Sequence, residues 1–290
     1  MNLEEKLKNG KFVITSEVGP PKGTNILPHI EEAEKLRSRI DAFNVTDIQS
    51  SVMRLGSLAV CRLLFEKGVE PVFQLTCRDR NRLALQSDLL SASVLGIRNV
   101  LILTGDHTVL GDHPQAKPVF DLDSVSLLEA AKGLMAGKDM VGNELDGKPD
   151  FFPGAVVSPG YQPIELQVMK MDKKIEAGAR FFQTQAVYDI RSFENFMKET
   201  SRFNVPVLAG IVLLKSAGMA KFMNENVAGV SVPENYIKMM ASADKKDRSR
   251  ISIQIAAELI RGMKDMCSGI HVMPLGWDRH VPAVLEEAGF

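Results

Sequence analysis

Polar, chemistry-capable residues recur where short apolar runs of this chain stop. Phe12-Val13-Ile14-Thr15-Ser16 runs into Glu17, followed by Val18-Gly19-Pro20-Pro21. A carboxylate at the end of a buried strand costs stability unless it has a use. Similar ends carry Thr46-Asp47, Gln74 with Thr76, Thr104-Gly105-Asp106, Ser158, and Gln183 with Gln185. A carboxyl facing a closed, ligand-filled mouth is desolvated, which raises its pKa and suits it to general acid work. Pairing with a neighbouring lysine, or capping the next helix, is the competing structural role for Glu17.

The other residues have ordinary readings beside their functional ones. Asp106 follows Gly105, and Gly-Asp is turn chemistry. Gln183 and Gln185 alternate onto one strand face, where an amide reads both donor and acceptor edges of a heterocycle such as a pterin or satisfies backbone groups. Lys173 and Lys174 lie on the helix before the sixth strand, where solvated lysines are the default. No lysine ends that strand, which argues against Schiff-base chemistry. No histidine is expected within a strand. His107 and His113 share one loop without metal-ligand spacing, so no metal site is expected.

These residues need a scaffold that gathers strand ends. Strand-like runs fall at 11–16, 42–46, 71–76, 98–104, 154–158, 180–185, 206–212 and 269–273, short and bounded by Gly, Pro or Asp. Several are apolar on both faces, as Asn99-Val100-Leu101-Ile102-Leu103 is, which fits a parallel sheet buried on both sides. Helical periodicity fills 28–40, 55–68, 80–96, 123–136, 163–178, 190–200 and 247–266. Pro28 suits a first helical turn, and Gly68 and Gly96 suit stops. Strand and helix alternating eight times predicts a (β/α)8 TIM barrel, one domain over residues 1–290, with its chemistry at the C-terminal strand ends. A doubly wound open sheet is the rival, but Val-Gly-Pro-Pro-Lys-Gly is not its usual glycine-rich turn. Residues 105–120 form a long loop on the chemistry face and 137–153 one on the opposite face. Residues 215–246 hold at least one extra helix.

The 290 residues suffice for one such barrel. With 35 Lys and Arg against 36 Asp and Glu, no basic block invites nucleic acid. Cys61, Cys77 and Cys267 have neither zinc spacing nor an even count, so reduced thiols and a cytoplasmic location are expected. The first residues read as a charged amphipathic turn rather than a signal peptide, and no apolar stretch is long enough to span a membrane.

The ordered pieces Ser16-Glu17-Val18-Gly19-Pro20-Pro21, Asn44-Val45-Thr46, Leu75-Thr76-Cys77-Arg78-Asp79, Leu103-Thr104-Gly105-Asp106, Lys173-Lys174-Ile175-Glu176-Ala177-Gly178-Ala179 and Gln183-Thr184-Gln185 resemble the methylenetetrahydrofolate reductase family, short bacterial type. The resemblance implies a barrel with a flavin at the C-terminal strand ends, FAD by resemblance and FMN as the alternative, reducing 5,10-methylenetetrahydrofolate to 5-methyltetrahydrofolate. It implies that Glu17 is the catalytic acid and that Asp106 tunes the flavin and stabilises a cationic folate. It places Gln185, with Gln183, on substrate. Thr46, Gln74, Thr76, Thr104, Gly105, Ser158, Lys173 and Lys174 fall at or beside cofactor positions.

This chain also departs from the family. Gln74 stands where a histidine is common, Thr104 where an arginine is, and Ser158-Pro159-Gly160 replaces Tyr-Pro-Glu. A later family histidine reads as Gln162. Lys215-Ser216-Ala217-Gly218 lacks the aromatic of the loop after strand 7, forfeiting roughly 1 kcal/mol of stacking. That weighs against NAD(P)H as the direct donor. The divergent branch of acetogenic anaerobes, which this chain resembles, implies a partner subunit that supplies electrons, in a homo- or hetero-oligomer. A flavin-free, pterin-dependent barrel methyltransferase and a non-catalytic folate-binding subunit remain the other readings.

Overall fold

The computed structural model describes residues 1–290. Eight parallel strands close into a barrel in sequential order: β1 (Val13–Val18), β2 (Ala42–Val45), β3 (Pro71–Thr76), β4 (Asn99–Leu103), β5 (Phe152–Val157), β6 (Phe181–Ala186), β7 (Val207–Val212) and β8 (Gly269–Met273). The (β/α)8 expectation therefore holds. The helices are α1 (Leu3–Lys8), α2 (Leu27–Leu36), α3 (Ser57–Glu66), α4 (Arg82–Val94), α5 (Ser124–Met135), α6 (Ile164–Glu176), α7 (Ile190–Thr200), α8 (Ala217–Asn226), α9 (Glu234–Ser242), α10 (Arg248–Met263) and α11 (Val281–Ala288). No helix is long and apolar enough to cross a membrane.

Contacts cluster into two compact units. One comprises Met1–Glu5, Glu17–Val156 and Asp172–Phe181; the other comprises Lys6–Ser16, Val157–Met171 and Phe182–Phe290. In the first, β2, β3 and β4 pair in register, with Phe43 opposite Pro71 and Val72 opposite Asn99. In the second, β8 pairs with both β7 and β1, with Leu208 and Val13 each opposite Gly269.

The helices bury one face each. On α7 the apolar side chains Phe193 and Phe196 are fully buried, worth roughly 1.5–3 kcal/mol each. Several βα loops end in a side-chain cap: Asn81 before α4, Asp123 before α5, Asp189 before α7 and Ser216 before α8. Each cap satisfies amide groups that would otherwise lack partners.

Several boundaries differ from the sequence reading. β1 runs through Glu17 to Val18, because the Val18 carbonyl still accepts from Thr46 N at 3.2 Å. β5 starts earlier, at Phe152, and α2 ends four residues short of the expected Ile40. The opening turn is helix α1, and 215–246 holds two helices, α8 and α9. Helix α11 was not expected, although Val281, Val284, Leu285 and Ala288 form its buried face.

Gly154 shows how tightly β5 is packed. The Phe152 and Phe181 rings stack with centroids 4.9 Å apart. A Cβ on Gly154 would lie 2.3 Å from the Phe181 ring. Gly154→Ala is expected to displace that ring and destabilise the fold by roughly 1–3 kcal/mol, read as a lower urea midpoint.

Candidate active site

In the second unit a buried polar layer joins three strands. Thr15 Oγ1 on β1 lies 2.9 Å from His271 Nδ1 on β8, and Gln183 Nε2 on β6 donates to Thr15 Oγ1 at 3.4 Å. The Thr15 hydroxyl also reaches the Ile270 carbonyl at 3.3 Å. All three residues are at most 3% exposed. In the ring, β8 and β7 stand between β1 and β6. A side-chain bond between Thr15 and Gln183 therefore requires both to point inside the barrel. Strand alternation then puts Glu17, two residues after Thr15, on the same inward face and nearer the C-terminal end, where it is half-buried. Ser16 points the other way, its hydroxyl donating to the Val272 carbonyl at 3.2 Å.

His271 corrects the expectation that no strand holds a histidine. It sits inside Gly269-Ile270-His271-Val272-Met273, a run already read as a strand. The available signal was a polar residue between two β-branched ones. Alternation makes such a residue face away from both neighbours.

Beyond Gln183 the register of β6 shifts against β7 before Ala186. Thr184 fills the irregularity: its hydroxyl accepts from Gly210 N at 2.9 Å and donates to the Gln185 carbonyl at 2.7 Å. Such a bulge re-aims the next side chain. Gln185 is half-buried, and its Oε1 accepts from Ala186 N at 3.1 Å. Ser158 follows β5 and is half-buried, with its amide donating to Gln167 Oε1 at 3.4 Å. The loop after β7 carries no aromatic of its own. Trp277, in the loop after β8, presents its ring to Lys215 Nζ, 5.9 Å from the centroid.

The first unit carries the remaining candidates. Thr46, just past β2, is buried, and its hydroxyl has no hydrogen-bond partner. An unpartnered buried hydroxyl is uncommon and points to a missing acceptor or donor. Its neighbour Asp47 is heavily engaged. Asp47 accepts from Thr76 N at 2.9 Å, Thr76 Oγ1 at 2.8 Å, Arg80 Nη1 at 2.8 Å and Arg80 Nη2 at 3.1 Å. Arg80 Nε also meets Asp88 at 2.9 Å. Burial, outweighing Arg80, holds the Asp88 carboxyl above its ordinary pKa. Thr76 is thus tied into a structural knot. Gln74 is nearly buried at the same strand's end.

After β4, Thr104 Oγ1 accepts from Ser124 N at 3.3 Å, at the start of α5. Gly105 has φ of 91°, and a Cβ there would meet the Arg78 and Thr76 Cβ atoms at 3.1 and 3.2 Å. Only glycine suits that turn. It delivers Asp106 to the exposed surface of the loop. Farther along, Asp112 pairs with Lys22 and His113 and accepts from Met53 N, which holds its carboxyl far below the usual range. Arg82 pulls Asp121 down to about 2. On α6, Lys173 is exposed, whereas Lys174 Nζ donates to the Val156 carbonyl of β5 at 2.7 Å.

Burial pushes the Cys77 thiol up to about 12 and raises Cys61 and Cys267, so none suits nucleophilic work. No group of three or more metal-ligating side chains gathers in the chain.

Comparison with known proteins agrees over the full length. The family model described as methylenetetrahydrofolate reductase matches residues 2–289. Methylenetetrahydrofolate reductase 2 of Schizosaccharomyces pombe is 27% identical over 322 aligned positions, covering 100% of this chain and 47% of that protein. The chain thus spans about half the length of that relative. The 5,10-methylenetetrahydrofolate reductase of Pectobacterium carotovorum subsp. carotovorum is 24% identical over 270 positions, covering 88% of this chain and 84% of that protein. Among solved structures, an uncharacterized protein from Clostridium thermocellum that binds two copies of 5-methyl-5,6,7,8-tetrahydrofolic acid shares the fold. Its TM-score is 0.66 at 17% identity, covering 99% of this chain and 97% of that one.

Proposed function

The chain belongs to the methylenetetrahydrofolate reductase family, and from that premise we propose that it reduces 5,10-methylenetetrahydrofolate to 5-methyltetrahydrofolate with a bound flavin. The observation that carries this reading is the inward, half-buried Glu17 two residues past the Thr15–His271–Gln183 layer. The whole chain would serve as a single catalytic domain in the cytoplasm.

The residues present fit a flavin. Thr46 offers a buried hydroxyl still lacking a partner. Thr46, Gln74 and Gly105 would hold the group, with Thr76 and Thr104 shaping the turns behind it. The Lys174 ammonium is spent on a strand carbonyl, which leaves exposed Lys173 as the more available cation for a phosphate. When bound, the flavin supplies the hydride that reduces the methylene carbon.

The chain's own residues do the rest. Glu17 gives its proton to the folate as the five-membered ring opens, leaving a cationic iminium at the other nitrogen. Asp106 contributes a negative charge that stabilises that cation. Gln183 and Gln185 present amides to the pterin edge, and the Gln183 amide is fixed by Thr15. Electrons reach the flavin through a partner subunit rather than from NAD(P)H bound here, since the loop after β7 carries no aromatic of its own and Trp277, in the loop after β8, already faces Lys215. FAD is the expected flavin, with FMN as the alternative.

The test is a single turnover. Protein loaded with FAD or FMN and reduced anaerobically should convert an equimolar amount of 5,10-methylenetetrahydrofolate to 5-methyltetrahydrofolate while the flavin band returns. A protein that takes up neither flavin overturns the proposal. Stoichiometric folate binding without turnover would assign the chain as a non-catalytic subunit.

A further inference from the structure

The loops after β2, β3 and β4 converge on one side chain. Arg78, 2% exposed, is among the largest fully buried side chains of the protein. Its Nη1 donates to the Asp106 carbonyl and its Nη2 to the Ile48 carbonyl, each at 3.2 Å. Nε and Nη2 grip the Asp79 carboxylate at 3.0 and 2.8 Å. The Arg78 carbonyl accepts from Val119 N at 2.8 Å, which ties down the far end of the β4 loop as well.

The turn that Arg78 holds is strained. Ile48, Ser50 and Ser51 all have left-handed backbone, with φ of 48°, 55° and 58°. A β-branched isoleucine there persists only when its surroundings over-determine it. Two further contacts do so. The Ser51 hydroxyl is shared between the Asp106 and His107 carbonyls at 3.0 and 3.2 Å. The Gly111 backbone packs so closely on Ser51 that a Cβ would fall 1.8 Å from the Ser51 carbonyl oxygen. An apolar residue in place of Arg78 would fill its volume but leave the Ile48 and Asp106 carbonyls without that donor.

We infer that Arg78 is a positioning residue: its buried guanidinium locks the turn that follows Thr46 to the backbone of Asp106, and so fixes relative to one another the Thr46 hydroxyl and the Asp106 carboxylate to which the proposed function gives flavin and substrate roles. The inference rests on the flavin-dependent reading above. The planar fork matters here, because one donor pair must serve two carbonyls from loops 58 residues apart in the chain, as Ile48 and Asp106 are.

The experiment compares Arg78→Met with Ser51→Ala, a milder release of the same clamp. Arg82→Ala serves as control, since it breaks the exposed Arg82–Asp121 pair nearby. Amide hydrogen exchange is read over residues 48–53 and 105–112 in the flavin-free proteins, and flavin dissociation constant and visible spectrum in the loaded ones. In Arg78→Met both segments should exchange faster together, by about tenfold or more, with weaker flavin binding and a shifted flavin band. Ser51→Ala should show the same pattern at smaller amplitude, and Arg82→Ala neither effect. Should Arg78→Met fail to fold, Ser51→Ala against Arg82→Ala carries the comparison.

Unchanged exchange, or loosening of one segment alone, overturns the clamp. Joint loosening with flavin affinity and spectrum as in the wild type reduces Arg78 to a structural role and overturns the positioning inference. A wild-type protein that binds no flavin defeats the functional reading, and with it the positioning inference, whatever the exchange data show.

Discussion

Replacing Glu17 by Gln is expected to leave flavin bound and to lower the rate at which reduced flavin is reoxidised by 5,10-methylenetetrahydrofolate about a thousandfold, roughly 4 kcal/mol of barrier. Glutamine keeps the shape and the hydrogen-bonding reach of the side chain but has no proton to give. The effect should therefore fall on the rate and spare folate affinity. Stopped-flow reoxidation at saturating folate measures it. Because Glu17 lies on the face shared with Thr15 and is half-buried, the substitution should change the urea midpoint little. Undiminished turnover in this variant would remove Glu17 from the mechanism.

The largest stability effect is expected at Asp47. Its side chain has no exposure to solvent, and it gathers the Arg80 fork, the Thr76 amide and hydroxyl, and the Ser57 hydroxyl at 3.4 Å. Asp47→Ala removes the acceptor, strips the buried Thr76 amide of its partner and leaves a mostly buried guanidinium held by Asp88 alone. Breaking a buried pair in this way costs about 3–5 kcal/mol. Urea unfolding should show a lower midpoint at unchanged slope. Asp47→Asn should recover part of the loss, since its one carbonyl oxygen still accepts while its amide meets other donors. A midpoint within error of the wild type would show that the Arg80 pair contributes nothing net.

The barrel was legible because each strand is a short apolar run between turn residues, and parallel strands buried on both faces lack the polar alternation of a meander. The ends of β1 were less so. Glu17 breaks the apolar run but not the backbone pairing, which continues to Val18. Helix α11 carried its own signals, Pro282 in the first turn and Gly289 just past the end with φ of 91°. His271 was visible in the sequence but needed strand phase to be read, and that phase comes from Thr15 on the neighbouring strand, whose hydroxyl also meets Gln183 across the barrel.

The roles of Thr76 and Arg78 could not be read from spacing at all. Thr76 is engaged by an aspartate 29 residues away, and Arg78 by carbonyls 30 and 28 residues away. Such partnerships exist only once the loops have folded onto one another. The two lysines of α6, adjacent in sequence, part company for a similar reason: only Lys174 reaches a strand carbonyl.

One titration tests most directly whether flavin and folate share the barrel mouth: 5-methyltetrahydrofolate added to the oxidised, flavin-loaded protein, followed in the visible band. The account predicts a saturable change in the flavin spectrum that reaches its end point at one folate per flavin. Folate that binds tightly while the flavin spectrum stays fixed would place the two ligands in separate sites and contradict the account.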